Sequence, residues 1–203
     1  MIILRSYLLI LSSLLVLNAC SSAPTRYHTL IPTQPTAAPS GETADFQLQL
    51  MPVRIPVQID QPGLVVRQND GRLTILENAL WASPPADEFH DALAFELEQH
   101  LGVRDLAGLP GHASRPMVTV RTDVRRFDSL PGSHAALNVV WSLELGDHQQ
   151  PHPALTCASV ISEPATEDLD SLVLAHQRAI GQLAGEIAGT ARRWVGSGAA
   201  TCP

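Results

Sequence analysis

The chain has 203 residues and a formal net charge of −7, and all 13 of its basic residues are arginine. An acidic balance disfavours nucleic acid and anionic lipid headgroups as electrostatic partners, and the lack of lysine excludes Schiff-base chemistry. The length is that of one domain with a hydrophobic core.

The first residues have the pattern of a secretory signal peptide. One charge, Arg5, precedes an apolar run from Tyr7 to Leu17, as expected for such a peptide. The run is shorter than the roughly 20 apolar residues that a transmembrane helix needs. We therefore predict that residues 1–19 are a signal peptide.

The sequence Leu17-Asn18-Ala19-Cys20 resembles the lipobox of bacterial lipoproteins. The resemblance implies cleavage before Cys20 and acylation of that residue, and several acyl chains on one residue give firm membrane attachment. An ordinary signal peptide followed by a chance cysteine is the alternative. The next residue is Ser21, and not the aspartate that resembles an inner-membrane retention signal, which favours the outer membrane.

Residues 20–45 are predicted to be a lipidated N-terminus with a short strand and a flexible tether, and residues 46–203 a folded domain. The stretches Ser21–Pro24 and Ile31–Asp45 are rich in Pro, Thr, Ala and Ser. Such segments rarely bury enough apolar surface to offset their ordering entropy. Between them, Arg26–Leu30 has the residues of a short strand.

The first part of the domain has strand and turn signals. Phe46–Met51 alternates apolar and polar residues, as a half-buried strand does, and the prolines within Pro52–Ile59 predict an edge or a bend. Leu64–Gln68 and Arg72–Leu76 flank Asn69-Asp70-Gly71. Because Asp-Gly tolerates positive φ, this pattern predicts a hairpin.

A helix is predicted to follow the hairpin and to end at Gly102. Ser83 is the expected N-cap, and prolines and acidic residues follow it, as they do at many helix starts. Four apolar residues then recur at a spacing of four: Phe89, Leu93, Leu97 and Leu101. This spacing predicts a helix that packs on the core.

The last part of the chain predicts three strands and a second helix. Met117–Phe127, Ala135–Leu145 and Leu155–Glu163 alternate in polarity, as in an antiparallel meander. A long apolar stripe predicts a helix over Leu169–Val195, capped by Thr166 or Asp168. The expected fold is α+β: a single domain with a mixed sheet of five to six strands and two long helices packed on it.

Cys157 and Cys202 remain once Cys20 is assigned to lipid. In an oxidising compartment such a pair is a disulfide candidate. The alternative is two independent thiols, with Cys157 buried as a small apolar residue.

Two features are candidates for a partner surface. Trp81 lies between the hairpin and the helix, where a tryptophan usually closes a corner of the core but is otherwise an interface anchor. One side of the last helix, opposite its apolar stripe, carries Gly181, Gly185 and Gly189. Each glycine within a helix lowers its stability by about 1 kcal/mol relative to alanine. They indicate either an exposed face or a surface on which another chain packs closely.

No catalytic motif is found in the sequence, so we expect a protein that is not an enzyme and has no cofactor and no metal. It has no Gly-x-Ser-x-Gly elbow, phosphate loop, HExxH or CxxC. Asp147, His148 and His152 lie in a turn rich in Gly, Gln and Pro, where a solvated loop is the expected role rather than a metal site.

The hairpin, tryptophan, proline and acidic helix start occur in an order that resembles the PqiC/YmbA family of ABC-type transport auxiliary lipoproteins. The matching residues are Pro52-Val53, Val57, Asp60, Pro62, Val65, Arg67, Asp70 to Leu73, Glu77-Asn78, Trp81-Ala82, Pro84 and Ala86-Asp87-Glu88-Phe89. Where the family pattern is Trp-Ala-Glu-Pro-Leu, this chain has Trp81-Ala82-Ser83-Pro84-Pro85. The departure keeps the helix start but removes the glutamate.

This resemblance implies an outer-membrane lipoprotein that works with a tunnel-forming MCE-domain protein and inner-membrane transporter subunits. Such systems move lipids between the two membranes or maintain membrane integrity. It also implies a fold similar to the N-terminal domain of TolB. A periplasmic lipid-binding carrier is the alternative function, and it would need an apolar pocket of about 300–1,000 Å³.

Overall fold

A computed structural model of the protein describes residues 23–36, 42–68, 70–112, 114–146, 154–197 and 201–203. The signal peptide, Cys20 and the loop with Asp147, His148 and His152 lie outside these residues. The helices and strands are β1 (Arg26–His28), β2 (Gln47–Leu50), β3 (Gly63–Arg67), β4 (Leu73–Trp81), α1 (Pro85–Leu101), β5 (Met117–Leu130), β6 (His134–Leu145), β7 (Ala154–Pro164) and α2 (Leu169–Ser197).

The strands form two sheets, with the orders β1-β4-β3 and β2-β5-β6-β7. In the first sheet β1 is parallel to β4 and β3 is antiparallel to it. In the second, β2 is parallel to β5, and β5, β6 and β7 form the antiparallel meander. The prediction of a single α+β domain with two long helices is confirmed, and so are the hairpin and the meander.

The expectation of one sheet is corrected, because the strands divide between sheets of three and four. The proline-rich stretch between β2 and β3 explains the division. Ile59 donates its N–H to the carbonyl of Pro56 at 2.9 Å in a turn. Since proline interrupts a strand ladder, the chain leaves the second sheet here and enters the first.

The core lies between the four-stranded sheet and α2. In β6 every second residue from Ala135 to Leu143 is buried, and the residues between them are half-buried. Helix α2 covers this face, and α1 packs beside α2. Each fully buried large side chain contributes about 1.5–3 kcal/mol, so the alternation fixes which face of the meander receives the helix.

The two helices begin differently. The N-cap of α1 is Pro84, without a side-chain hydrogen bond, so the expected Ser83 cap is wrong; Ser83 instead donates to Glu88, as described below. Helix α1 ends where predicted, at Gly102 with φ 68°. At α2 the cap is Asp168, whose Oδ1 accepts the N–H of Ser171 at 2.7 Å.

Hydrogen bonds lower the pKa of the Asp168 carboxyl below its usual value. The side chain of Thr166 is the largest cause, and the backbone N–H of Ser171 is the next. The charged form is therefore favoured at the positive end of the α2 dipole.

Candidate functional site

The segment that follows the predicted anchor is bonded into the domain. We call residues 26–36 the strap. Its first part is β1, in which Arg26 pairs with Ala79 and His28 with Trp81. Leu30 is completely buried. This anchoring of the strap corrects the prediction of a flexible tether for residues 31–36.

The second described part of the predicted tether, residues 42–45, is also packed. Ala44 is buried, and its N–H donates to the carbonyl of Leu101 at 2.8 Å. Arg192 of α2 donates to the carbonyl of Glu42 at 2.5 Å. Composition therefore misled the prediction for this stretch, and residues 37–41 lie outside the described residues.

Glu88 in the first turn of α1 holds the strap. Its Oε2 accepts the hydroxyl of Thr29 at 2.7 Å and the N–H of Leu30 at 2.8 Å. Its Oε1 accepts the N–H and the hydroxyl of Ser83 at 3.0 and 2.9 Å. The side chain is only 3% exposed, so one buried carboxylate joins the strap to the start of α1.

A second glutamate repeats the arrangement two turns further along α1. Glu96 is buried, and its Oε1 accepts the N–H of Thr36 at 3.0 Å. From α2, Gln177 donates to the carbonyl of Thr29 at 3.0 Å. Both helices therefore hold the strap by hydrogen bonds to its backbone.

Sequence reasoning missed both glutamates. Glu88 was assigned to the helix dipole, and Glu96 was not singled out. A usable signal existed, because Glu96 lies on the apolar stripe of α1 between Leu93 and Leu97. A buried carboxylate needs hydrogen-bond donors, and here the strap supplies one.

The glycine stripe of α2 is covered by the chain itself at Gly181, where neither an exposed face nor a surface for another chain is found. A Cβ on Gly181 would lie 1.7 Å from the Thr36 hydroxyl oxygen, and a Cβ on Gly185 would lie 3.5 Å from the His100 ring. Gly189 is half-buried next to Arg193. The missing side chain at Gly181 allows the strap to approach α2 closely, whereas Gly185 and Gly189 are half-buried and a partner surface there stays a prediction.

Trp81 has the core role. It is 5% exposed, and its ring meets Phe127 edge-on with centroids 6.2 Å apart. Within the part of the chain that the structure describes, its buried indole N–H has no hydrogen-bond partner. The ring is too buried for Trp81 to be an exposed interface anchor.

Trp81 also borders a groove of about 410 Å³ between residues 60–62 and 81–85. The volume falls within the range of ligand pockets. Most of its other walls, among them Asp60, Pro62 and Pro84, are themselves exposed. The groove is therefore open on the surface and does not enclose an acyl chain.

Cys157 and Cys202 are brought together as a disulfide, with 5.4 Å between their Cα atoms. The bond links the C-terminal tail to β7. Cys157 is buried, on the face of the sheet that α2 covers. The bridge therefore fixes the tail to the meander.

Helix α2, which contacts the strap, carries a buried histidine on its core-facing side. His176 is 1% exposed and stacks on Phe127 with ring centroids 3.9 Å apart. Its Nε2 lies 2.8 Å from the hydroxyl oxygen of Ser129. Burial lowers the pKa of His176 to about 3, although the nearby Asp128 raises it, so the ring is neutral at pH 7.

The described residues present no group of three or more His, Cys, Asp or Glu placed to hold a metal ion. Likewise, neither α1 nor α2 is long and apolar enough to cross a membrane. At this site, hydrogen bonds and close packing fix the strap to the two helices.

The protein is therefore an α+β domain whose N-terminal strap pairs with the first sheet and packs on both helices. The family model for the ABC-type transport auxiliary lipoprotein component matches residues 28–188. The chain belongs to this family, and the expected resemblance is confirmed. Because the match begins at His28, most of the strap belongs to the family domain.

Two solved structures support the fold. A crystal structure described only as that of an uncharacterized protein has a TM-score of 0.62 at 18% identity, covering 82% of this chain and 98% of its own. Protein XCC0632 from Xanthomonas campestris, of family DUF330, has a TM-score of 0.58 at 21% identity, covering 84% and 95%. Among curated proteins, no match to the chain is found.

Proposed function

We propose that this protein is an outer-membrane lipoprotein that fixes the end of a periplasmic MCE-domain tunnel protein to the membrane. It would serve, together with inner-membrane transporter subunits, in lipid transport between the membranes or in envelope integrity. Membership of the transport auxiliary lipoprotein family supports the general role. The MCE partner is inferred from the resemblance in sequence. The outer-membrane location is inferred from the same resemblance and from Ser21.

The observation that carries the proposal is the strap. Arg26, the first residue of β1, lies six residues after Cys20. We call the segment from Cys20 to Arg26 the leash. At about 3.3–3.6 Å per residue, its fully extended length is roughly 20 Å. Glu88 and Glu96 then hold the strap to α1. A short leash and a bonded strap suit a protein that holds a partner at a set distance from the membrane.

The same observation disfavours a lipid carrier. A carrier that moves between membranes gains nothing from a strap built into the domain, and it needs an enclosed apolar cavity. The groove beside Trp81 has sufficient volume, about 410 Å³, but exposed walls. Extraction of the purified protein and mass spectrometry for phospholipid would test the carrier, which requires a stoichiometric lipid.

The anchor and its destination are tested by substitutions near Cys20. We expect Cys20→Ala to lose acylation and Ser21→Asp to move the protein from the outer to the inner membrane fraction. Ser21→Ala is the matched control and should stay in the outer membrane. An acylated Ser21→Asp variant that remains in the outer membrane would contradict the sorting part of the proposal.

The partner is tested with purified components. The acylated protein, on vesicles of phosphatidylethanolamine and phosphatidylglycerol, is mixed with a purified MCE-domain protein from the same organism. We expect the MCE-domain protein to sediment with vesicles that carry the lipoprotein and to stay in solution with bare vesicles. Equal sedimentation in both samples would refute the docking role.

A further inference from the structure

The direction of β1 shows from which side the anchor enters the domain. Strand β1 is parallel to β4, with Arg26 beside Ala79. The chain therefore enters β1 from the side on which β4 begins, at Leu73. That is also the side of the β3–β4 turn, so the leash from Cys20 and the hairpin extend from the same side of the sheet.

Contacts near the base of the hairpin fix it to the rest of the domain. Arg67, at the end of β3, pairs with Asp128 near the end of β5 at 2.8 Å. Val66 packs with Ala135 and Leu172, at the starts of β6 and α2. We call the β3–β4 turn and the start of β4 at Leu73 the anchor end.

The hairpin extends about as far as the leash. From Ala79 back to Leu73 is six residues, or at most about 20 Å at 3.3 Å per residue. The leash from Arg26 to Cys20 has the same number of residues and the same upper length. A domain held by acyl chains on Cys20 can therefore bring its hairpin to the bilayer surface.

The anchor end exposes apolar side chains where this contact would occur. Ile75 is 52% exposed and Leu73 is 39% exposed. Exposed apolar clusters commonly mark membrane or protein contacts. At the turn itself, the Arg72 guanidinium pairs with Asp70 at 2.6 Å, which limits repulsion by anionic lipids.

We propose that the β3–β4 hairpin lies against the phospholipid surface that holds the acyl chains, through Leu73 and Ile75. The inference rests on the proposed acylation of Cys20. Because the exposed side chains that carry the contact are apolar, the contact should persist at high salt.

Single-cysteine labelling tests this contact. The native cysteines do not compete for the label, because Cys157 and Cys202 are bonded to each other and Cys20 is acylated in the proposal. A bimane dye is attached to Leu73→Cys or Ile75→Cys, and the acylated protein is bound to phosphatidylethanolamine and phosphatidylglycerol vesicles. Nitroxide-headgroup lipids then quench any dye at the surface.

The controls carry the dye at Leu109→Cys and Val160→Cys, which replace side chains that are 68% and 78% exposed away from the anchor end. We expect quenching at positions 73 and 75 to be at least threefold stronger than at the controls, at low and high salt. Equal quenching at all four positions on vesicle-bound protein would overturn the inference.

Intact mass spectrometry of the same samples separates the two proposals. Protein that lacks acyl chains would refute the anchoring on which the proposed function depends. Protein that is acylated and bound to vesicles, but is no more quenched at the hairpin than at the controls, would refute the hairpin contact alone.

Discussion

At the scale of single residues, buried polar groups explain how the strap is held. Glu88 accepts four hydrogen bonds, two from the strap and two from Ser83. A carboxylate is buried without a large desolvation cost only when donors surround it. Among the donors, the N–H of Leu30 is itself buried and needs an acceptor, so the strap and Glu88 depend on each other.

We predict that Glu88→Ala lowers the free energy of unfolding by about 1–3 kcal/mol, because the buried N–H of Leu30 loses its acceptor. Denaturant titration measures the change. Limited proteolysis should also cut the strap faster in this variant. Asp87→Ala, an exposed acid in the same turn, is the control and should change stability by no more than the dipole effect, about 0.3–1 kcal/mol. Equal losses would contradict the role of Glu88.

His176 makes stability depend on pH. Its pKa in the folded protein is lowered to about 3 from 6.5, so the unfolded chain binds a proton that the folded chain excludes. The stabilisation is complete above pH 6.5 and is lost as the pH falls toward 3. The loss from this one group is at most about 1.4 kcal/mol per pH unit.

We predict that His176→Gln flattens the decline of stability between pH 6.5 and pH 4, relative to the native protein, even if it lowers stability at pH 7. Unfolding curves at several pH values give the comparison. His112→Gln, which replaces an exposed ring, should keep the native slope. A His176→Gln variant with the native slope would show that other groups cause the pH dependence.

At the scale of helices and strands, local signals were sufficient for part of the fold. Asp70-Gly71 predicted the hairpin, and Gly71 has the expected positive φ of 84°. Gly102 and Asp168 likewise marked helix ends correctly. These features depend on residues close in sequence, which is why spacing and turn chemistry identify them.

Pairings between distant residues were not predictable in this way. The parallel pair β1–β4 joins Arg26 to Ala79, and β2–β5 joins Gln47 to Met117. No short-range pattern specifies such pairs, so the division into two sheets and the packed strap were missed. The glycine stripe was found, but its partner, the chain's own Thr36, comes from a segment whose composition suggested disorder.

The contact between α2 and the strap gives a matched pair of substitutions. A Cβ at Gly181 would lie 1.7 Å from the Thr36 hydroxyl oxygen, whereas at Gly189 the nearest atom is an Arg193 nitrogen at 3.4 Å. We predict that Gly181→Ala lowers the free energy of unfolding by about 1–3 kcal/mol through overpacking. Gly189→Ala should be neutral or stabilise by up to about 1 kcal/mol.

Thermal or denaturant unfolding distinguishes the two variants, and Thr36→Gly should restore part of the stability of Gly181→Ala because the two residues are in contact. If Gly181→Ala behaved like Gly189→Ala, the strap would not lie against this face of α2.

At the scale of the whole molecule, the strap and the two helices are aligned. Helices α1 and α2 run in the same direction, because Glu88 and Gln177 both contact Thr29, while Arg192 donates to the carbonyl of His100 at 3.0 Å. The strap runs along both helices, from Thr29 beside Gln177 to Thr36 beside Glu96. In the proposed function, any pull on the acyl chains of Cys20 would pass through the strap into the two helices.

In the proposed function, the short segment from Cys20 to Arg26 sets the distance between membrane and domain. Inserting twelve Gly and Ser residues after Ser22 would add about 20 Å of flexible reach without changing Cys20, Ser21 or the strap. The same insertion after Pro203 is the control. Photocrosslinking to the MCE-domain protein in cells, with acylation and outer-membrane level checked, is the measurement. We predict that the insertion after Ser22 greatly reduces crosslinking and that the control keeps it; full crosslinking with the longer leash would contradict the claim.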